Sequence, residues 1–197
     1  MSAARRKLLW CCLSLLVVTQ LQALDRETWQ PPDKIMQIVG IEPGMTIGEV
    51  GAGSGYFTIK IARLIGPQGR IYANDINADA LSKLEEKRKN LNLNNIQIVH
   101  GKTADPNFPR VNLDLVIMVY VLHDMEQPER FLKTLKNYLM DDTPVAIVDR
   151  DPERFPGSSP WHFMKSSEIL SVIESAGYTL EKLDSSLPRD NIYIIRR

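Results

Sequence analysis

Apolar positions along the chain switch repeatedly between a period of 3.6 and a period of 2, the mark of helices alternating with strands. Ile35, Met36 and Val39 share one side of a short helix opened by Pro31-Pro32-Asp33 and closed by Gly40. A turn at Glu42-Pro43-Gly44 leads into a strand over 46–50, then a glycine-rich loop and a helix with Phe57, Ile61 and Leu64 inward. The alternation continues with a strand over 70–74, a helix over 78–90 with Leu81, Leu84 and Leu91 inward, and a strand over 96–99. The run 113–119 is apolar on both alternating faces, as a central parallel strand requires.

Pro128 sits where a first helical turn tolerates proline, and Phe131, Leu132, Leu135 and Leu139 form the stripe behind it. A fifth strand spans 145–148, and a helix capped by Ser166 or Ser167 carries Ile169, Leu170 and Ile173 as far as Gly177. Two last strands, near 178–183 and 191–195, are joined by a turn at Pro188. This order predicts an α/β, doubly wound, mostly parallel, seven-stranded Rossmann-like sheet with an antiparallel C-terminal hairpin strand. Ligands of such sheets bind at the carboxyl ends of the strands.

The first residues have a different character. Arg5-Arg6-Lys7 precedes an apolar run from Leu8 to Val18 broken only by Ser14, and Ala23 offers a cleavage point. Residues 1–23 are therefore expected to be a signal peptide and 24–197 the domain, exported in all expectation to a bacterial periplasm. A membrane anchor through 8–24 is the lesser alternative, because the run is short of the ~20 apolar residues a span needs. The basic pair faintly resembles a twin-arginine signal, and a reporter fusion with Arg5-Arg6 changed to Lys-Lys tests that: unchanged export removes the idea. No stable membrane domain is expected beyond this segment.

Both cysteines, Cys11 and Cys12, lie in the leader, which leaves the domain without a thiol for a disulfide, thiolate metal site or nucleophile. The chain has 24 basic and 24 acidic groups; without its first 23 residues, which hold three basic groups and no acid, the balance is 21 against 24, or −3. Nothing in that balance suggests a nucleic-acid surface; the expected partner is a small-molecule substrate, and oligomeric state is not legible.

Chemistry concentrates behind three strands. The loop Glu49-Val50-Gly51-Ala52-Gly53-Ser54-Gly55-Tyr56 reads G-x-G-x-G, with Tyr56 where a dinucleotide fingerprint has its last glycine. The second strand ends in Asp75, about 20 residues beyond the glycines and suited to accept hydrogen bonds from ribose hydroxyls. Asp75 read only as a cap for the next helix is the plainer alternative, although Asn77 serves that purpose as well. Loop and acid together resemble the first motifs of class I S-adenosylmethionine-dependent methyltransferases, and the resemblance extends over most of residues 40–177.

The resemblance implies the class I methyltransferase fold and S-adenosylmethionine as cofactor. It implies Glu49, Gly51, Ala52, Gly53 and Gly55 at the methionyl end, Asp75 on the ribose and Ile76 against the adenine. Where many members carry Gly-Asp after the third strand, this chain reads Gly101-Lys102, so Asp105 is the substitute expected near the adenine amino group.

Tyr120-Val121-Leu122-His123-Asp124 follows the fourth strand, at the rim where the methyl would be presented. The His-Asp pair resembles that of O-methyltransferases whose histidine deprotonates a hydroxyl. It also resembles exported methyltransferase-like bacterial proteins that carry a Trp-Gln near the mature N-terminus, here Trp29-Gln30. His123 is thus the candidate general base, with Asp124, Tyr120 and His162 beside it; a histidine that merely holds the loop is the plain alternative. His100 ends the third strand away from the pocket.

Asp149-Arg150-Asp151 ends the fifth strand and offers partners for His123 in a metal or polar substrate site. Neighbouring strand residues point to opposite faces, so a solvated strand end with ion pairs is the better reading, and no metal site is expected. The irregular stretch 150–165 and the segment 25–33 are the expected lid. Activity on an unidentified small-molecule acceptor is the leading expectation, and a non-catalytic exported binding module retaining the fold is the alternative. No nucleophile elbow, P-loop or zinc spacing occurs in the chain.

Overall fold

The computed structural model describes residues 26–154 and 162–197. The leader, both cysteines and Trp161 lie outside them. Among the described residues no helix is long and apolar enough to cross a membrane.

Seven strands form one sheet in the order β3-β2-β1-β4-β5-β7-β6. They are β1 (Thr46–Val50), β2 (Arg70–Asp75), β3 (Ile96–His100), β4 (Leu115–Val119), β5 (Val145–Arg150), β6 (Thr179–Asp184) and β7 (Asp190–Arg196). The first five run parallel, and β7 pairs antiparallel with both β5 and β6. Among the described residues, helices α1 (Pro32–Ile38), α2 (Tyr56–Ile65), α3 (Ala78–Asn90), α4 (Pro128–Leu135) and α5 (Ser166–Ser175) cover the two faces. Chain reversal between β1 and β4 opens a crevice at their carboxyl ends, which is where the side chains of interest collect.

β4 shows why the sheet is buried on both sides. Leu115 and Ile117 pack with Ile35, Phe57 and Ile61 on one face, whereas Val116 and Met118 pack with Phe131, Leu132 and Ile173 on the other. Successive strand side chains point to opposite faces, so a continuous apolar run is the only sequence that satisfies both layers.

Several expectations need correction. Leu64 is exposed because Ile65, one position on, turns into the core of α2 instead. Leu91 follows the end of α3 and is exposed as well. Neither Ser166 nor Ser167 caps α5: Lys165 is the N-cap, and its backbone N–H donates to the Glu168 carboxylate at 2.7 Å. β4 begins at Leu115 rather than two residues earlier.

Candidate functional site

The glycine loop takes its shape from backbone that other residues would strain. Gly51 has φ +74, and a Cβ there would lie 2.2 Å from Val121 Cγ2, so no side chain fits. Gly53 has φ +53 and open space at its Cβ position, leaving the loop accessible from that side. Its N–H donates to Asp75 Oδ2 at 2.7 Å, which ties the loop after β1 to the end of β2.

Asp75 does not cap α3. The cap is Asn77, whose Oδ1 accepts from the N–H groups of Asp79 and Ala80, while Asp75 Oδ1 accepts the Asn77 N–H at 2.8 Å. Each Asp75 oxygen therefore holds one backbone donor and retains lone-pair capacity for another. Asp75 and Ile76, the latter 58% exposed, line a cavity of about 380 Å³ together with Lys102, Thr103 and Asp124. An exposed apolar side chain next to a carboxylate is a surface shaped for a flat apolar ring above a polar sugar.

Asp105 is elsewhere. Its Oδ1 accepts from the Tyr138 hydroxyl at 2.7 Å and from the Asn107 N–H, and Lys102 and Thr103 line the cavity instead.

A second cavity, about 490 Å³, opens on the other side of the loop and is lined by Arg26, Glu49, Gly53, Ser54 and Tyr56 among others. Gly51 and Tyr120 line both cavities, so the two form halves of one crevice. Glu49 is 3% exposed and accepts the Thr58 hydroxyl at 2.6 Å; burial, aided by the nearby Asp75 charge, pushes its pKa up to about 7. Ala52 is largely buried and donates its N–H to the Asn74 carbonyl, and it lines this second cavity beside Gly51 and Gly53.

Arg26 is the one cation among the described residues lining this half. Its guanidinium lies 4.1 Å over the Tyr56 ring and donates to Gln30 Oε1. The Tyr56 hydroxyl is buried with no hydrogen-bond partner.

Tyr120 links the halves to the rest of the site. Its φ of +58 is a left-handed conformation, costly by ~1–3 kcal/mol for a bulky residue, and it turns the ring off the line of β4. The Tyr120 hydroxyl donates to Asp190 Oδ1 at 2.5 Å, and the ring stacks on Trp29. Asp190 also accepts from the fully buried Gln30 at 3.0 Å. Burial and the Asp190 charge hold the Tyr120 phenol far above its ordinary pKa, which makes it a neutral donor and not a base.

His123 lies in a 3-10 turn, Leu122–Asp124, directly after β4. Its Nδ1 is 2.7 Å from Asp149 Oδ1, and both side chains are nearly or fully buried. Asp149 is thus no solvated strand end: it is 1% exposed and also accepts the Arg150 N–H, while Asp151 is buried against Asn191. Strand alternation places Asp149 inward under the turn. Burial alone would lower the His123 pKa, but the hydrogen bond and charge of Asp149 outweigh it and hold it above the ordinary value.

With Nδ1 held by a carboxylate, the Nε2 atom carries the remaining lone pair, on the side of Asp124. Asp124 Oδ1 is 3.6 Å from that nitrogen and 3.5 Å from Nε2 of His162, whose ring stands 5.1 Å from that of His123. His100 is remote, with Nε2 3.1 Å from the Ile76 carbonyl.

The structure brings Glu49, Gly51, Ala52, Gly53, Asp75, Ile76, Tyr120 and Asp124 to the crevice, sets His123 and His162 beside Asp124, and leaves out Asp105 and Gly55, whose Cβ position points at Leu84. Sequence reasoning passed over Arg26 and Asp190, and set Asp149 aside as a solvated strand end after weighing it beside His123. Only the Trp29-Gln30 pair hinted at the first, by marking its neighbourhood; the other two act through partners far away in the chain.

A sheet of this order, with a glycine loop after β1 and an acid ending β2, is the class I methyltransferase fold. A SAM dependent methyltransferase from Aquifex aeolicus superposes with a TM-score of 0.81 at 24% identity, covering 91% of this chain and 98% of that one. The cyclase SpnF superposes with a TM-score of 0.72 at 12% identity, over 84% and 79% of the two chains. The chain belongs to the methyltransferase domain family, whose model matches residues 41–182. Demethylmenaquinone methyltransferase of Listeria welshimeri is 25% identical over 122 residues, or 62% of this chain and 52% of that protein. The chain thus spans about half the length of the curated relatives it matches.

Proposed function

We propose that the protein is an S-adenosylmethionine-dependent methyltransferase acting on a hydroxyl-bearing small molecule, with His123 as general base. The observation that carries this reading is a crevice of two halves meeting at Gly51 and Tyr120, acidic Asp75 in one and Glu49 with Arg26 in the other.

The residues fit the cofactor. Asp75 would hold the ribose hydroxyls and Ile76 the adenine face. Glu49 would meet the ammonium and Arg26 the carboxylate of the methionyl end, with the buried, unpartnered Tyr56 hydroxyl as a further donor. When bound, S-adenosylmethionine supplies a methyl group already activated on a sulfonium.

The chain's own task is then alignment, which can contribute about 7–11 kcal/mol of barrier reduction. Tyr120, fixed by Asp190 and Trp29, forms the wall between the halves and sets where an acceptor can stand. His123 accepts the hydroxyl proton at Nε2 while Asp149 holds the tautomer and stabilises the resulting imidazolium. Asp124 and His162 flank the entrance and orient the polar end of the acceptor.

The test is release of S-adenosylhomocysteine with a panel of phenols and hydroxylated acceptors. His123→Ala is expected to lower kcat by ~10²–10⁴ and to leave cofactor affinity unchanged. Unaltered kcat in that variant would remove the base assignment.

The domain is proposed to act after export, and that location favours a second reading. S-adenosylmethionine is made in the cytosol, and positive-inside logic places residues after Val18 outside. A binding module that retains the fold without turnover agrees with that location. Cofactor binding with no S-adenosylhomocysteine formed on any acceptor would favour it.

A further inference from the structure

We propose that His123, Asp124 and His162 form a binding site for one divalent transition-metal ion at the mouth of the crevice. The three residues come from two separate stretches, 39 positions apart at the extremes, which is why no metal motif is visible in the sequence. One ligand atom from each of the three residues lies within 4.8 Å of the others, and Asp124 Oδ1 stands 3.6 Å from His123 Nε2 and 3.5 Å from His162 Nε2. Donors on a tetrahedral zinc, each about 2.0–2.1 Å from the ion, stand roughly 3.3 Å apart. Two of the three spacings are near that already, and rotation of the exposed His162 and Asp124 side chains closes the third.

The surroundings support ligation. A metal-bound imidazole commonly donates its other N–H to a carboxylate, and Asp149 sits 2.7 Å from His123 Nδ1 with its side chain fully buried. That contact leaves the Nε2 lone pair as the ligand atom. Two imidazoles and one carboxylate, with no thiolate within the domain, suit zinc, cobalt, nickel or ferrous iron and not calcium or magnesium. His162 and Asp124 are 56% and 59% exposed, so an ion reaches the site from solvent. Three protein ligands leave at least one coordination position for water or another ligand, and Asp124 also lines the crevice.

The same His123 lone pair cannot hold an ion and accept a proton at once. The ion-free protein is therefore the form in which His123 acts as base, and occupancy of this site takes that base away.

The inference stands apart from the methyl-transfer reading, because the ion is read with no cofactor present. Cobalt(II) titrated into the full chain is the probe, followed by its visible d–d absorption. One equivalent should bind with an intense four- or five-coordinate band. His162→Ala and Asp124→Asn, both exposed and harmless to folding, should each weaken binding at least tenfold, and Asp149→Asn should weaken it ~10–100-fold. His100→Ala, the remote histidine, should leave the band unchanged. A folded wild type with no band would overturn the proposal. So would a band that survives both His162→Ala and Asp124→Asn, or one lost in His100→Ala.

Discussion

Glu49 is a buried carboxylate that shares its cavity with Arg26, the one cation among the described residues lining it. Its pKa, raised from 4.5 to about 7, means that the folded chain binds this proton more tightly than the unfolded chain does. The resulting stability is complete below about 4.5 and is lost as pH rises through about 7, a change on the order of 3 kcal/mol. Glu49→Gln should thus unfold at higher temperature than wild type at pH 8 in the absence of ligand, with little difference at pH 4.5. A cationic ammonium reverses the preference, so S-adenosylmethionine affinity should rise from pH 5.5 to 7 with proton release. Calorimetry in buffers of different ionisation enthalpy reads that release; proton uptake would contradict the placement of Glu49.

At the same scale, legibility differed among the acids for a physical reason. Asp75 was readable because its partners, Gly53 and Asn77, lie in the same β-α-β unit and leave a local signature. Asp149 was readable only as one option beside His123, because strand alternation tells that a residue faces inward without telling what it meets there. The partner is His123, 26 positions earlier. Arg26 was missed because a single arginine after a leader carries no pattern at all.

Among the elements, β1 and α3 have the predicted bounds, since each is bracketed by strong punctuation: Gly44 before β1, and Asn77 before α3. The inward face of α2 was ambiguous, because Leu64 and Ile65 both satisfy an i, i+3, i+4 series from Ile61 and only tertiary packing chooses between them.

The expected lid segment 25–33 is represented by residues 26–30, which wall the methionyl half through Arg26 and Trp29. Its anchor is Gln30, linked across 160 positions to Asp190, which in turn holds Tyr120. Gln30→Ala leaves a buried carboxylate short of one donor and should cost ~1–3 kcal/mol. Thermal unfolding should register this as about 2–4 °C per kcal/mol, accompanied by faster proteolysis near Arg26. Unchanged melting and unchanged cleavage would show that the segment is not anchored this way.

For the whole molecule, the alternation of strands and helices led to the sheet, its strand count and its antiparallel edge without reference to any site. The reaction is not fixed at that scale: the fold that carries the Aquifex methyltransferase also superposes on a cyclase. What narrows the reading is the distribution of charge inside one crevice, acid at the end of β2 and an acid–cation pair across the loop, matched to a ligand with a sugar at one end and a zwitterion at the other.

The central claim is that this crevice binds S-adenosylmethionine, and calorimetric titration of the full chain tests it, with Asp75→Ala alongside. Micromolar binding to wild type should weaken in the variant by ~1–3 kcal/mol, roughly 5- to 150-fold, as a charge-assisted acceptor is lost. Absence of binding to a folded wild type, or equal binding by the variant, would contradict the account.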